Sequence, residues 1–204
     1  MEGKREIRIV GRSSEEAKEK IQSLYRKRLF DHVSSLTEKD KELIKKYEIP
    51  KTDEEIALIS LANKETNLLT ERLGLEKFDI SPDNIHIIDE KIYRESVGKD
   101  TDAVTRYHEQ AIVANSKTVR ESPVLFSQVM IHEMLHLKSH LSLQVEEKGE
   151  EVERTIYRSG VTSHSSQKKA EQEGGYHKHF NGLHEAIVSL QDSRSLRNHL
   201  NQRN

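Results

Sequence analysis

Residues 132 to 136 read HEMLH, and these residue types at this spacing define one kind of chemistry. On an α-helix, residues i and i+4 lie about 40° apart around the axis and one turn apart along it, so the imidazoles of His132 and His136 can reach one tetrahedral ion together. Glu133 flanks them, where its carboxylate can take a proton from a water that the ion has activated. The ion that suits two imidazoles and a hydrolytic role is Zn2+, which in catalytic sites takes three protein ligands and keeps one position open. A third ligand is therefore required downstream.

With 11 His in the chain, chance alone produces such a motif with a probability on the order of 7%. Its surroundings lower that risk. Val129, Met130, Ile131, Met134, Leu135 and Leu137 make the helix apolar nearly all round, which implies burial. Buried polar groups need partners, and a metal supplies them.

Composition narrows the ligand set. The 204 residues contain no Cys, which removes disulfides, thiolate nucleophiles and every Cys-based zinc site, so a metal must be held by His and carboxylate. Thirty-three Lys plus Arg against 35 Asp plus Glu leave a net charge of −2 with no long basic run, which gives no electrostatic case for nucleic acid. Hydrophobic residues make up 33% and charged residues 33%, and no apolar run approaches the roughly 18 to 20 residues a bilayer requires. The expectation is a soluble, cytoplasmic protein without a membrane partner.

The elements that must position the site follow from periodicity and capping signals. A short strand over residues 6–10 precedes a helix opened by Ser13 and Glu16 at capping-box spacing, with Ala17, Ile21, Leu24, Tyr25, Leu29 and Val33 on its apolar face. A helix after Thr37 stops before Pro50, and another, opened by Thr52 and Glu55, ends near Gly74. Segments 84–88 and 107–114 read as strands. Ser122 and Pro123 open the HEMLH helix, which the pattern carries to about Leu143. An acidic connector, a strand over 154–164 and a polar loop over 167–175 follow. Leu183, Ala186, Ile187 and Leu190 then mark a last helix with Glu185 at the border of its buried stripe.

Candidates for the third ligand are judged by reach. Ser139 and Ser142 stand where a metzincin extension demands Gly and His, and a straight helix carries His140 about 12 Å from His132. Glu185 in NGLHEAIVSLQD and His177 or His179 in GGYHKHFNGL remain open.

HEMLH followed by GLHEAIVS resembles the gluzincins, the thermolysin-like branch of zinc metallopeptidases, and the short chain resembles their minimal soluble members. The resemblance spans roughly residues 84 to 192. It implies that His132, His136 and Glu185 hold zinc and that Glu133 is the general base, with Ala186 and Ile187 also agreeing. His184 stands where the family has Asn, and Ser189 where it has an Asp that supports a ligand His; Asp192, two turns beyond Glu185, is a substitute. A fainter resemblance, to SprT-like proteases, would make His177 or His179 the third ligand instead.

Peptide hydrolysis also needs a donor for the developing oxyanion, and Tyr157 is the candidate catalytic residue, with His164, Tyr176 and His177 as alternatives. Zincins bind an extended peptide or protein substrate along an edge strand, a role assigned to residues 108–114. The expected architecture is α+β and zincin-like: a small mixed β-sheet packed on an active-site helix and a glutamate helix. A helical N-terminal segment, 1–76, precedes a metallopeptidase domain, 77–204, in one compact unit. A reading of another class is a zinc-stabilised binding or regulatory module without turnover, using the helices before Gly74 as its interaction surface.

Overall fold

Residues 7–98, 101–148, 151–160, 162–164, 178–179, 185 and 188–189 are described by the structure, a computed structural model. Strand β1 (Arg8–Val10) leads into helix α1 (Glu15–Phe30), whose buried residues Ala17, Ile21, Tyr25 and Leu29 repeat every four positions. The cap of α1 is Ser14 and not Ser13: the Ser14 hydroxyl accepts from the Ala17 N–H at 3.2 Å. Helix α2 (His32–Ser35) is a single turn. Helices α3 (Glu38–Tyr47) and α4 (Asp53–Arg72) both open with complete capping boxes, Thr37 with Asp40 and Thr52 with Glu55. Each cap contributes about 1 kcal/mol, which fixes where these polar helices begin. Gly74, at φ +70°, turns the chain out of α4.

Strand β2 (Ile85–Ile88), helix α5 (Glu90–Ser96), strand β3 (Ala103–Arg106) and strand β4 (Ala111–Asn115) follow. They form a three-stranded sheet in the order β2-β4-β3, with β2 parallel and β3 antiparallel to β4. Two expectations are corrected here. Residues 107–110 are the turn between β3 and β4, with Gln110 at φ +55°, so the strand begins only at Ala111. β4 is also paired on both sides, so residues 108–114 are not an edge. The edges are β2, which is bridged at Ile88 to Glu48, and β3, whose outer side pairs with no strand among the described residues.

Short helix α6 (Ser116–Val119) leads to α7 (Pro123–Lys138), which carries HEMLH. Ser122 caps it by accepting from the Leu125 N–H at 3.1 Å, with Pro123 in the first turn. The helix stops at Lys138, five residues short of the expected Leu143. Ser139 is extended, and Leu141, Leu143 and Val145 alternate inward on strand β5 (Leu141–Lys148). The acidic stretch expected to be a connector belongs to a hairpin of β5 with β6 (Glu151–Ser159). Strands β7 (Thr162–His164) and β8 (Lys178–His179) complete a five-stranded sheet in the order β1-β5-β6-β7-β8. The loop expected over 167–175 lies outside the described residues.

One hydrophobic cluster joins Leu29, Ile59, Ala62 and Leu69 of the N-terminal helices to Ile85, Ile87, Ile112 and Ala114 of the smaller sheet and to Phe126, Met130, Met134 and Leu137 of α7. A second holds Ile7, Ile21 and Tyr25 against Leu141, Leu143 and Val145 of β5. Full burial of side chains this large is worth about 1.5–3 kcal/mol each. The boundary between residues 76 and 77 thus runs through shared cores, and the helical segment is part of the same folded unit. The class is α+β, with two small sheets in place of the single one expected. Among the described residues no helix is long and apolar enough to cross a membrane.

Candidate metal centre

Helix α7 lies between α4 on one side and strands β3 and β4 on the other. Its last turn is anchored by Lys138, whose ammonium donates to Thr66 Oγ1 and Asn67 Oδ1, both at 2.8 Å. Burial lowers the pKa of that lysine to about 7. With both faces and its C-terminal end fixed, α7 presents the HEMLH side chains in one orientation.

His132 and His136 bring their Nε2 atoms within 3.1 Å, with ring centroids 4.8 Å apart. Glu185, on helical backbone with Val188 and Ser189, meets them from another element: Oε2 lies 3.2 Å from His136 Nε2 and 3.4 Å from His132 Nε2. Val188, buried in the larger cluster, ties that backbone down. Ligands about 2.0–2.1 Å from a tetrahedral ion lie about 3.3–3.4 Å from one another, so these three donors have the spacing of one face of such a site. Hydrogen bonds from His132 and His136 outweigh partial burial and hold the Glu185 carboxyl well below the usual range, which keeps it ionised as a ligand must be. His136 is buried, whereas the Glu185 side chain is 46% exposed, so the cluster opens to solvent on the Glu185 side. Two imidazoles, one carboxylate and an open side fit zinc.

Glu133 is buried, and its carboxylate reaches β3, where the Thr105 hydroxyl lies 2.8 Å from Oε2. Burial pushes the Glu133 carboxyl up against the opposing pull of His136, Thr105 and His132. Thr105 escaped the sequence reading because a lone threonine on a four-residue strand belongs to no motif. The available signal was the alternation of residues 103–106, which would have put Ala103 and Thr105 on one face.

Other expected residues lie elsewhere. Tyr157, 45% exposed on β6, lines a pocket of about 480 Å³ with Arg8, His140, Ser142 and Arg158, and none of His132, Glu133, His136 or Glu185 lines it. His140 is past the end of α7, with Nε2 2.8 Å from Ser142 Oγ. His179 is on β8 in register with Ser163, and His164 is on β7. Tyr176, His177, His184, Ala186, Ile187 and Asp192 lie outside the described residues.

Comparison of the chain with family models, with curated proteins and with solved structures found no match. Any reading of function therefore rests on the residues of the site and their geometry.

Proposed function

We propose that this chain is a zinc-dependent metallopeptidase with a zincin-like fold of the gluzincin type, in which His132, His136 and Glu185 hold the ion and Glu133 is the general base. The observation that carries the reading is the meeting of three ligand-type atoms from two elements 49 residues apart in sequence. Zinc, when bound, supplies Lewis acidity, lowering the pKa of water toward about 7 and polarising a carbonyl. Glu133 receives the proton at its carboxylate. Burial strengthens the hold of that carboxylate on the proton, while His136, the Thr105 hydroxyl and His132 act in the opposite sense. The Thr105 hydrogen bond limits the carboxylate to one orientation.

Thr105 also links the base to the peptide track. It lies on β3, whose outer backbone edge can pair with an extended peptide or protein substrate, so the strand that guides the substrate would also position the base. A chain without Cys suits a reducing compartment, and a cytoplasmic site of action belongs to this reading. The test is cleavage of a peptide library before and after zinc removal by a chelator. Activity should vanish on removal, return with added zinc, and be absent from Glu185→Gln, which should bind zinc about 100-fold or more weakly, since loss of a residue that merely supports a ligand already costs about 10 to 100-fold. Cleavage that persists without zinc would refute the proposal.

A further inference from the structure

Two histidines left without a role by the proposed reaction meet on the far side of the smaller sheet. His32 of α2 and His86 of β2, 54 residues apart in sequence, have their Nε2 atoms 3.1 Å from each other. The other nitrogen of each ring is already committed. His32 Nδ1 lies 3.0 Å from the Arg28 carbonyl oxygen, which can only accept, so that nitrogen carries the hydrogen. His86 Nδ1 lies 2.8 Å from Glu48 Oε2. Burial works against the charge on Glu48, but hydrogen bonds with His86 and Lys51 prevail and hold its carboxyl below the usual range, so Glu48 also accepts. In the neutral rings both Nε2 atoms therefore present lone pairs, facing each other at hydrogen-bond distance with no hydrogen between them.

Two acceptors this close repel unless positive charge lies between them, and that charge is either a proton or a metal ion. His32 is 4% exposed, and its burial disfavours the imidazolium form. The hydrogen bond to the Arg28 carbonyl and the charge of Asp83 act in the opposite sense, while His86 and the Arg28 guanidinium add to the effect of burial. The rings are tilted by 42° with centroids 5.2 Å apart, so they are not stacked face to face.

The geometry points to a second metal site, in which one divalent transition-metal ion of the zinc class is held between His32 Nε2 and His86 Nε2. The separation equals that of the His132 and His136 Nε2 atoms, and lies near the roughly 3.3 Å chord of a tetrahedral zinc site. Both Nδ1 atoms are tethered, one to a backbone carbonyl and one to a carboxylate, the arrangement that fixes tautomer and orientation in ligand histidines. Imidazole donors suit zinc, nickel and copper(II), and water completes the coordination.

The site has a structural consequence. Glu48 follows α3, and the Ile49 N–H bonds to the Ile87 carbonyl at 2.7 Å, so β2 already touches the end of that helix. An ion on His32 and His86 would staple α2 to β2, with α3 tied in through Glu48. A ligand that binds the folded state alone raises its stability.

The experiment is zinc titration of the chelator-treated full chain, followed by 15N NMR of the imidazole nitrogens and by thermal melting. Zinc should move the Nε2 resonances of His32 and His86 while leaving both Nδ1 nitrogens protonated, whatever happens at His132 and His136. His86→Gln should lose one equivalent of bound zinc and the part of the zinc-induced rise in Tm that this site supplies. Because the NMR readout uses the unaltered protein, it stands even if His86→Gln fails to fold. Resonances of His32 and His86 that ignore saturating zinc would overturn the proposal, and a response to pH alone would identify the intervening charge as a proton.

Discussion

Replacing Thr105 by valine keeps the β-branched shape that suits a strand and removes only the hydroxyl. That hydroxyl has one hydrogen and two acceptors on Glu133: Oε2 at 2.8 Å and the backbone oxygen at 3.0 Å. The shorter contact, to a group that becomes charged, is the stronger. A hydrogen bond to a charged group contributes about 1.5–3 kcal/mol net, and at about 1.36 kcal/mol per tenfold its full loss is worth about 10- to 150-fold. The direction in pH follows from the same contact. Thr105 stabilises the carboxylate, so without it burial is less opposed and the Glu133 pKa moves further up. A general base works as the anion, and its rate falls as pH drops through its pKa. The acid limb of kcat/KM for peptide cleavage should therefore move to higher pH in Thr105→Val. The deficit should be largest in acid and shrink as pH rises, with zinc content unchanged. Thr105→Ser, which restores the hydroxyl, should recover the wild-type limb. An acid limb that stays in place in Thr105→Val would refute the assignment of Thr105 as the group that orients and tunes the base.

Arg120 donates to both carboxylate oxygens of Glu55, at 2.6 and 2.9 Å, tying the end of α6 to the first turn of α4. Arg120→Ala should cost about 2 kcal/mol, less than the 3–5 of a fully buried pair because the Arg120 side chain is 30% exposed. Burial alone would raise the Glu55 pKa, but hydrogen bonds from Arg120 and the Thr52 N–H win and hold it below the usual range. That stability is present above the unfolded value of about 4.3 and is lost as pH falls through the folded pKa, so calorimetry should find the Tm deficit at neutral pH and its disappearance in strong acid. Gly11→Ala would bring a Cβ to 2.3 Å from the Val145 carbonyl oxygen at a position with φ +112°. It should cost about 2–3 kcal/mol or more and speed amide exchange where β1 pairs with β5, whereas unchanged exchange would contradict the close approach.

Local signals carried much of this fold. Thr37, Thr52, Ser122, Pro123 and Gly74 each act through bonds within a few residues, so the starts of α3, α4 and α7 and the end of α4 were legible. The end of α7 was not, because Leu141 continues the four-residue spacing of Leu137. The competing signal was the two-residue alternation of Leu141, Leu143 and Val145, which prevails because pairing with β1 and β6 satisfies the backbone there. The edge strand was misassigned because the four residues of β3 were not read as a strand, and which strand is flanked depends on pairing with the distant β2.

In the site, His132 and His136 were legible from helical spacing, and Glu185 entered by resemblance. Their meeting is tertiary. Thr105 and the pairing of His32 with His86 depend on contacts 28 and 54 residues apart, which no spacing rule encodes. Tyr157 was favoured for its position in sequence alone, and the turn after α7 carries its strand to a different pocket.

The central claim is that Glu133 turns a zinc site into a peptidase. The most direct measurement is the cleavage rate of zinc-loaded Glu133→Gln beside that of the wild type, with bound zinc quantified in both. Glutamine keeps the size and the contact with Thr105 but cannot take up the proton, so the account predicts equal zinc and a rate lower by about 10²- to 10⁴-fold. Equal zinc with an unchanged rate would contradict it.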